Sequence, residues 1–197
     1  MGSPNDLIYI EKTYPKPEGP VLEIGCKYNR TGFRGFFENQ GLEFKGTDIE
    51  EGDENNPVDY VCDLTARKNP LPKNYFDLVI CCSVMEHVPN PWVMAEKISE
   101  VVKPGGKLYI AVPWVWKYHG YPKDYYRFTH SAIEYLFPQF SWSNFAWSST
   151  SAGDIQWQDM QAITDRKYAF NEFDEHGVKI KKYLKYLSIN MLGTKNV

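Results

Sequence analysis

The stretch VLEIGCKYNRTG, residues 21–32, indicates how the chain folds. It begins as a short apolar strand and turns at a glycine, which is the usual start of a nucleotide-binding unit. Lys27, Tyr28 and Asn29 then stand where a second and third glycine would be expected. A dinucleotide site needs those glycines, because the backbone must approach a pyrophosphate closely. The stretch therefore predicts the first turn of an α/β domain whose ligand has no pyrophosphate that the backbone must approach closely.

Apolar runs bounded by turn residues recur after this stretch and predict further strands. With the first strand, they are PVLEIG (20–25), LEFKGTD (42–48), VDYVCD (58–63), FDLVICCS (76–83) and GKLYIAVP (106–113). Helical patterns lie between and after them, at RTGFRGFFENQG (30–41), NPWVMAEKISEVVKPGG (90–106) and THSAIEYLF (129–137). Strands that alternate with helices favour parallel pairing with right-handed crossovers.

The predicted fold is α/β: a doubly wound, mostly parallel seven-stranded sheet with an antiparallel edge strand. Residues 49–57 are acidic and too short for a crossover helix, so a loop is expected there. Residues 140–149 alternate with period two, which predicts an antiparallel strand, and residues 183–195 are predicted to form the final strand. We predict one domain over residues 1–197, with 151–182 as an insertion near the acceptor side, the end of the sheet where a small-molecule acceptor would bind.

The composition favours a globular protein. Of 197 residues, 43% are hydrophobic and 24% charged, and the net charge is −3. No apolar run is long enough to cross a bilayer and no secretory pattern begins the chain, which predicts a cytoplasmic protein without a membrane partner. No cluster of Lys and Arg indicates a nucleic-acid partner, so a small-molecule acceptor is expected. The composition leaves the oligomeric state open.

The four cysteines do not form a metal or disulfide pattern. They lie at positions 26, 62, 81 and 82, inside or beside predicted strands, and are expected to be reduced. The chain has no CxxC or HxxxH pair, so the sequence predicts no metal site.

The carboxyl ends of the predicted strands carry the candidate ligand-binding residues, because open parallel sheets bind ligands there. Glu23 and Gly25 end the first strand, Asp48 the second and Asp63 the third. Asp48 could accept both hydroxyls of a ribose, Ile49 could cover an adenine face, and Asp63 could accept from an exocyclic amine. Alternatively, Glu23 could cap a loop and Asp63 could cap the following turn.

VLEIGC, GTDIE, VDYVCDL, YFDLVICCSVMEHVPNP and VVKPGGKLYIAVP, in this order, resemble the successive motifs of class I S-adenosylmethionine-dependent methyltransferases. The resemblance covers about residues 18–138. It implies S-adenosylmethionine as cofactor, with Glu23, Gly25, Asp48, Ile49, Asp63, Leu64, Cys82, Ser83 and His87 beside it. Lys27 and Asn29 depart from the usual Gly-x-Gly-x-Gly, although a subgroup with LEIGSR also lacks the later glycines. His87 could instead only orient its loop.

The segment VPWVWKYHGYPKDYYRFTH, residues 112–130, holds seven Phe, Trp and Tyr residues and is the candidate acceptor region. Its predicted acceptor-binding residues are Trp114, Tyr118, Tyr125 and Arg127; the alternative is a hydrophobic cover for the sheet edge. His119 is the candidate general base, with Asp124 orienting it or serving instead. An ion pair of Asp124 with Arg127 that only closes the loop is the competing interpretation.

These residues predict transfer of a methyl group to a small molecule, at oxygen rather than nitrogen. No Asn-Pro-Pro-Tyr or Asp-Pro-Pro-Tyr follows the fourth strand, which argues against methylation of nucleic-acid bases. HGYPKDYYRFT resembles a segment of methyltransferase-like proteins associated with surface polysaccharide pathways, which implies a sugar or glycan precursor. The alternatives are a non-catalytic S-adenosylmethionine-binding module and, less consistent with the missing glycines, a nicotinamide-dependent oxidoreductase.

Overall fold

The computed structural model describes residues 3–28, 31–66, 69–120, 122–157, 171–173, 175–176, 179–181 and 186–197. In these residues the helices are α1 (Pro4–Thr13), α2 (Phe33–Glu38), α3 (Pro91–Val101) and α4 (His130–Leu136). The strands are β1 (Val21–Ile24), β2 (Phe44–Asp48), β3 (Tyr60–Val61), β4 (Phe76–Cys82), β5 (Val102–Val115), β6 (Phe140–Ser148), β7 (Ile155–Trp157), β8 (Asn171–Phe173), β9 (Lys179–Lys181) and β10 (Leu187–Lys195).

Eight of these strands form one sheet in the order β3-β2-β1-β4-β5-β10-β6-β7. The first five are parallel to one another, whereas β10 runs antiparallel between β5 and β6, and β7 is an antiparallel edge strand. The predicted doubly wound, mostly parallel fold is confirmed, with one strand more than expected in the sheet. Strands β8 and β9 pair separately.

The strand order reverses between β1 and β4. From β1 the chain adds β2 and β3 on one side, then crosses to β4 and β5 on the other. No helix intervenes between Asp48 and Tyr60, as the short acidic segment predicted. In such sheets a crevice opens beyond the carboxyl ends of the two strands at the reversal. The topology therefore places a ligand site after β1 and β4.

Both faces of the sheet are covered, as alternate side chains of β4 show. Val79 and Cys81 pack with residues of α3 and α4, whereas Leu78 and Ile80 pack with residues of α1 and α2. All seven residues of β4 are buried, which explains its continuous apolar run. No helix among the described residues is both long and apolar enough to span a bilayer.

Helix ends follow local chemistry. Thr129 caps α4 by accepting a hydrogen bond from the Ala132 backbone. Helix α3 ends at Val101, and the Nζ of Lys195 donates to the carbonyls of Ser99 and Val102 near this end. Cations near the last carbonyls of a helix are stabilising.

Helix α1 was not predicted from the sequence. Ser3 and Asp6 form a capping box at its start, and Tyr9 lies in the core, stacked on Tyr109 at a ring-centroid distance of 4.6 Å. The side chain of Asn5 bonds backbone groups of the β6–β7 connection. These tertiary contacts explain a helix whose own sequence has only a weak apolar stripe.

The Asp6 carboxyl is buried beneath α1 and should make stability pH-dependent. Burial raises its pKa to about 6 from 3.8, despite hydrogen bonds from the Ser3 backbone and the Tyr109 hydroxyl. Between these values the folded state holds a proton that the unfolded state has lost, so stability falls as pH rises. We expect Asp6 to contribute a loss of ~2 kcal/mol from pH 4 to pH 6.

Urea unfolding across this pH range measures the effect. Asp6→Asn should abolish the Asp6 part of the slope, at the cost of weakening the helix cap by ~1 kcal/mol at every pH. An Asp6→Asn variant with the wild-type slope would contradict a protonated Asp6.

The prediction of a single domain with an insertion at 151–182 stays a prediction. Strands β7, β8 and β9 lie inside this range, and residues 158–170, 174, 177–178 and 182 lie outside the described residues.

Candidate functional site

A cavity of about 760 Å³ opens at the carboxyl ends of the parallel strands. Its lining comes from the segments after β1, β2, β3 and β4, together with Met94 of α3 and residues of the segment after β5. This is the crevice that the strand reversal predicts, and its volume is in the range of small-molecule sites.

Gly25 lies at the turn after β1, where only glycine fits. Its φ is +75°, and its N–H donates to the carbonyl of Thr47 at 2.8 Å. A Cβ atom at this position would lie 2.4 Å from Cγ2 of Val84, which lines the cavity after β4. The glycine therefore sets both the turn and the close approach of two strand ends.

Asp48 ends β2 and faces the cavity. One carboxylate oxygen accepts from the backbone N–H of Lys27 at 3.1 Å, and the other from that of Glu50 at 3.3 Å. The Nζ of Lys27 pairs with Glu50 at 2.7 Å, and the Tyr28 hydroxyl donates to the same carboxylate. Lys27 and Tyr28 thus join the first turn to the end of β2. Asn29 lies outside the described residues.

Asp63, Leu64 and Ile49 form the part of the cavity nearest β3. Oδ1 of Asp63 accepts from both the backbone N–H and the hydroxyl of Thr65, each at 2.7 Å. Asp63 thus caps its own turn, as the alternative interpretation held, while remaining exposed at the cavity. Leu64 is buried, whereas Ile49 is 58% exposed and forms an apolar edge for a flat ligand.

Ser83 follows β4 in the left-handed region, with φ of +54°. Its N–H donates to the carbonyl of Ala111 at 2.8 Å, which holds this turn against β5. Non-glycine residues in this region cluster at functional sites. Cys82, one residue earlier, is 3% exposed on the opposite face, and burial raises the pKa of its thiol well above 9.

His87 and His119 line the cavity from opposite segments, after β4 and after β5. Their rings meet edge to face at 4.8 Å, and both Nε2 atoms face the carboxylate of Glu86, at 3.8 Å and 3.6 Å. This carboxylate is the main cause of a raised pKa at His119, against a smaller opposing effect of burial. Backbone N–H groups of Tyr125 and Tyr126 donate to the Glu86 carbonyl and hold the two segments together.

Asp124 holds the segment after β5 in shape. Its carboxylate accepts from the His119 backbone at 2.9 Å and from Nη2 of Arg127 at 2.7 Å. The Arg127 guanidinium is the main reason why the pKa of Asp124 lies well below its usual range. Arg127 also donates to the carbonyls of Trp116 and Lys117. The two side chains close the loop, as the competing interpretation proposed.

The cavity contains many but not all of the predicted residues. Those that line it are Gly25, Asp48, Ile49, Asp63, Leu64, Ser83, His87, His119 and Tyr125. Those outside it are Glu23, Cys82, Trp114, Tyr118, Asp124 and Arg127.

The predicted residues that lie outside the cavity do so for physical reasons. Glu23 is buried beside a smaller cavity of about 230 Å³, because its side chain alternates away from the crevice. Trp114 packs on Trp147 at a centroid distance of 4.1 Å, and Tyr118 is 74% exposed. The Arg127 guanidinium is engaged with Asp124 and with the carbonyls of Trp116, Lys117 and Tyr126, so it does not reach the cavity as an anion-binding group.

Sequence reasoning missed Glu50, Tyr28 and above all Glu86. Glu86 is completely buried, which is unusual for a glutamate. The only signal was its place directly before His87. Its approach to His119, 33 positions further along, depends on the sheet bringing two loops together.

Residues 22–110 match the model of a protein family described as a methyltransferase domain. The ubiquinone biosynthesis O-methyltransferase of Coxiella burnetii is 27% identical over 123 residues, which cover 55% of this chain and 50% of that relative. The chain thus spans about half the length of the curated relatives it matches.

The fold recurs in solved structures. The 1,6-didemethyltoxoflavin-N1-methyltransferase of Burkholderia thailandensis, bound to its substrate and S-adenosylhomocysteine, superposes with a TM-score of 0.61 at 15% identity, covering 98% of this chain and 77% of that one. The [4+2]-cyclase SpnF superposes at 0.62 and 14% identity, covering 98% and 80%. At these identities the likeness shows the fold alone, and residues 22–110 are similar to the methyltransferase domain that the family model describes.

Proposed function

We propose that this chain transfers a methyl group from S-adenosylmethionine to a hydroxyl oxygen of a small molecule. The observation that carries the proposal is the cavity at the strand reversal, with Asp48 and Asp63 at its rim and Gly25 at its turn. A positively charged cofactor without phosphates suits such a site, because carboxylates line it and no glycine-rich pyrophosphate loop is present.

The strand-end residues suggest one orientation for the cofactor. The carboxylate of Asp48 would accept from the two ribose hydroxyls, while Ile49 and Leu64 would contact the adenine faces. Oδ1 of Asp63 is engaged by Thr65, so the other oxygen would accept from the adenine amine. The methionine part would then extend past Gly25 toward the β4 end, where Ser83 lies. Charge-assisted bonds of this kind are stronger than neutral ones.

The reaction is an in-line displacement at the methyl carbon. The acceptor oxygen forms a bond to this carbon as the carbon–sulfur bond breaks, and the electron pair of that bond goes to sulfur, leaving neutral S-adenosylhomocysteine. The hydroxyl proton must leave as the new bond forms. We propose that His119, whose position Asp124 fixes, promotes this loss of the proton.

Two observations favour oxygen as the methylated atom. The curated relative from Coxiella burnetii is named as an O-methyltransferase, although this chain spans half of it. His119 supplies a group suited to an alcohol, whose proton must be removed, rather than to an amine with a free lone pair. The segment HGYPKDYYRFT makes sugars and glycan precursors the first acceptor class to test.

Binding and turnover assays test the proposal. S-adenosylmethionine and S-adenosylhomocysteine should each raise the melting temperature, since a ligand at one hundred times its Kd stabilises by about 2.7 kcal/mol, whereas NAD should not. Formation of S-adenosylhomocysteine is then measured across sugars, phenols and amines. Stabilisation by NAD alone would refute the proposal.

A non-catalytic S-adenosylmethionine-binding module is the second candidate. It is favoured by the fold's presence in a [4+2]-cyclase, which shows that the fold does not require methyl transfer. Tight binding of S-adenosylmethionine with no turnover on any acceptor would support this candidate instead.

His119→Ala separates catalysis from cofactor binding. We expect turnover to fall ~100-fold, because the group that promotes loss of the proton is removed, while the Kd for S-adenosylmethionine changes little. His176→Ala is the matched control, since His176 is exposed and does not line the cavity. Isothermal titration and steady-state kinetics give the two quantities. An unaltered turnover would remove His119 from the mechanism.

A further inference from the structure

Three potential metal ligands converge at the inner wall of the cavity. Glu86 and His87 belong to a single 3-10 turn after β4, and His119 lies on the segment after β5. One ligand atom from each lies within 4.8 Å of the other two, and Oε1 of Glu86 is 3.6 Å and 3.8 Å from the two imidazole Nε2 atoms. These separations are too long for hydrogen bonds and leave a gap between the three groups.

The other nitrogen of each ring faces an acceptor. Nδ1 of His87 is 2.7 Å from the carbonyl oxygen of Lys123. Nδ1 of His119 is 3.2 Å from the carbonyl oxygen of Lys117 and 3.3 Å from Oδ2 of Asp124. Because carbonyls and carboxylates only accept, each Nδ1 carries the hydrogen, and in a neutral ring Nε2 presents a lone pair. Metal-ligating histidines are held in this way.

When the gap between the three side chains is empty, the Glu86 carboxylate lies in an unfavourable environment. Its side chain is 0% exposed, and among the described residues neither carboxylate oxygen has a hydrogen-bond partner. A buried carboxylate without hydrogen bonds is costly. A cation in the gap would neutralise the carboxylate and bond all three atoms.

We propose that Glu86, His87 and His119 bind a divalent first-row transition-metal cation such as Zn²⁺. Two imidazoles and one carboxylate are a known donor set for such ions, whereas Mg²⁺ and Ca²⁺ prefer oxygen alone. Tetrahedral bonds of ~2.1 Å place ligand atoms about 3.4 Å apart, so the three atoms, which lie within 4.8 Å of one another, would each have to approach the others by up to about 1.4 Å to complete the site. His87 is then a metal ligand rather than a direct cofactor contact.

The proposed metal also restricts the chemical class of the methyl acceptor. This step rests on the proposed function. Three protein ligands leave coordination positions open, and both histidines line the cavity, so an acceptor oxygen can bind there. A bound cation lowers the pKa of a coordinated hydroxyl, and His119 acts on the acceptor through this cation. Acceptors with two adjacent oxygens, such as vicinal diols and catechols, would chelate it.

Metal titration of the full chain tests the site directly. After treatment with a chelator and its removal, the wild-type protein should bind one equivalent of Zn²⁺ by calorimetry, and Co²⁺ should develop a visible d–d absorption that Zn²⁺ displaces. Mg²⁺ should not compete. Glu86→Gln and His119→Asn should each weaken Zn²⁺ binding at least ~100-fold, whereas Glu11→Gln, an exposed carboxylate on α1, should bind as wild type.

Wild-type protein that binds neither Zn²⁺ nor Co²⁺ would overturn the inference, as would Glu86→Gln and His119→Asn variants with wild-type affinity. The Co²⁺ spectrum of the wild type decides the matter even where a variant does not fold. Methyl transfer that persists after metal removal would leave the proposed function intact and refute only the metal. Metal binding without stabilisation by S-adenosylmethionine would refute the proposed function instead.

Discussion

Asp48→Ala should weaken S-adenosylmethionine binding more than any other change of a single polar side chain at the cavity. The proposed orientation gives this carboxylate both ribose hydroxyls, and each hydrogen bond to a charged group contributes ~1.5–3 kcal/mol. We expect an increase in Kd of about 100-fold or more, measured by isothermal titration. The variant also loses the bonds from Lys27 and Glu50 that hold the first turn.

Asp53→Ala separates these two effects. Asp53 lies in the same loop and accepts from the backbone N–H groups of Asn55 and Asn56, both at 2.9 Å, but does not line the cavity. Its removal should loosen the loop without changing cofactor affinity. If both variants bound the cofactor with wild-type affinity, the ribose would lie elsewhere.

Gly25→Ala should destabilise the protein by ~4 kcal/mol and abolish cofactor binding. The left-handed backbone costs an alanine ~1–2 kcal/mol, and relief of a 2.4 Å contact with Val84 adds ~1–3 kcal/mol of overpacking. The displaced Val84 lines the cavity, so the site should deform as well. Urea unfolding and calorimetry measure the two losses.

Gly105→Ala is the matched control. Its φ of +76° equals that of Gly25 within a degree, but a Cβ there meets nothing within 4 Å. It should therefore show only the backbone cost of ~1–2 kcal/mol. Equal destabilisation by the two variants would mean that the close approach of the two strand ends contributes nothing.

The two loops that complete the cavity come from distant parts of the chain. The Glu86 segment follows β4 and the His119 segment follows β5, and these strands are parallel neighbours. Hydrogen bonds from Tyr125 and Tyr126 to the Glu86 carbonyl then join the loops. The proposed methyl transfer depends on this junction, because the two joined loops carry His87 and His119. The carboxylates proposed to bind the cofactor, Asp48 and Asp63, lie elsewhere, after β2 and β3.

The cofactor part of the site follows from sequence because it depends on strand ends. Asp48 and Asp63 each follow a strand of a parallel sheet, and all such ends lie at one edge. Gly25 was identifiable for the same reason, together with its turn. Residues whose position depends on a loop conformation were placed less well, as Trp114, Tyr118 and Arg127 show.

The sequence by itself determined the alternation of strands and helices, the missing crossover helix and the acidic rim, because these depend on local periodicity and chain order. Only the tertiary structure decided that α1 packs on the sheet, that β10 inserts between β5 and β6, and that Glu86 meets His119. Contacts between residues far apart in the chain leave no local pattern, since they depend on how the packed sheet orients each loop.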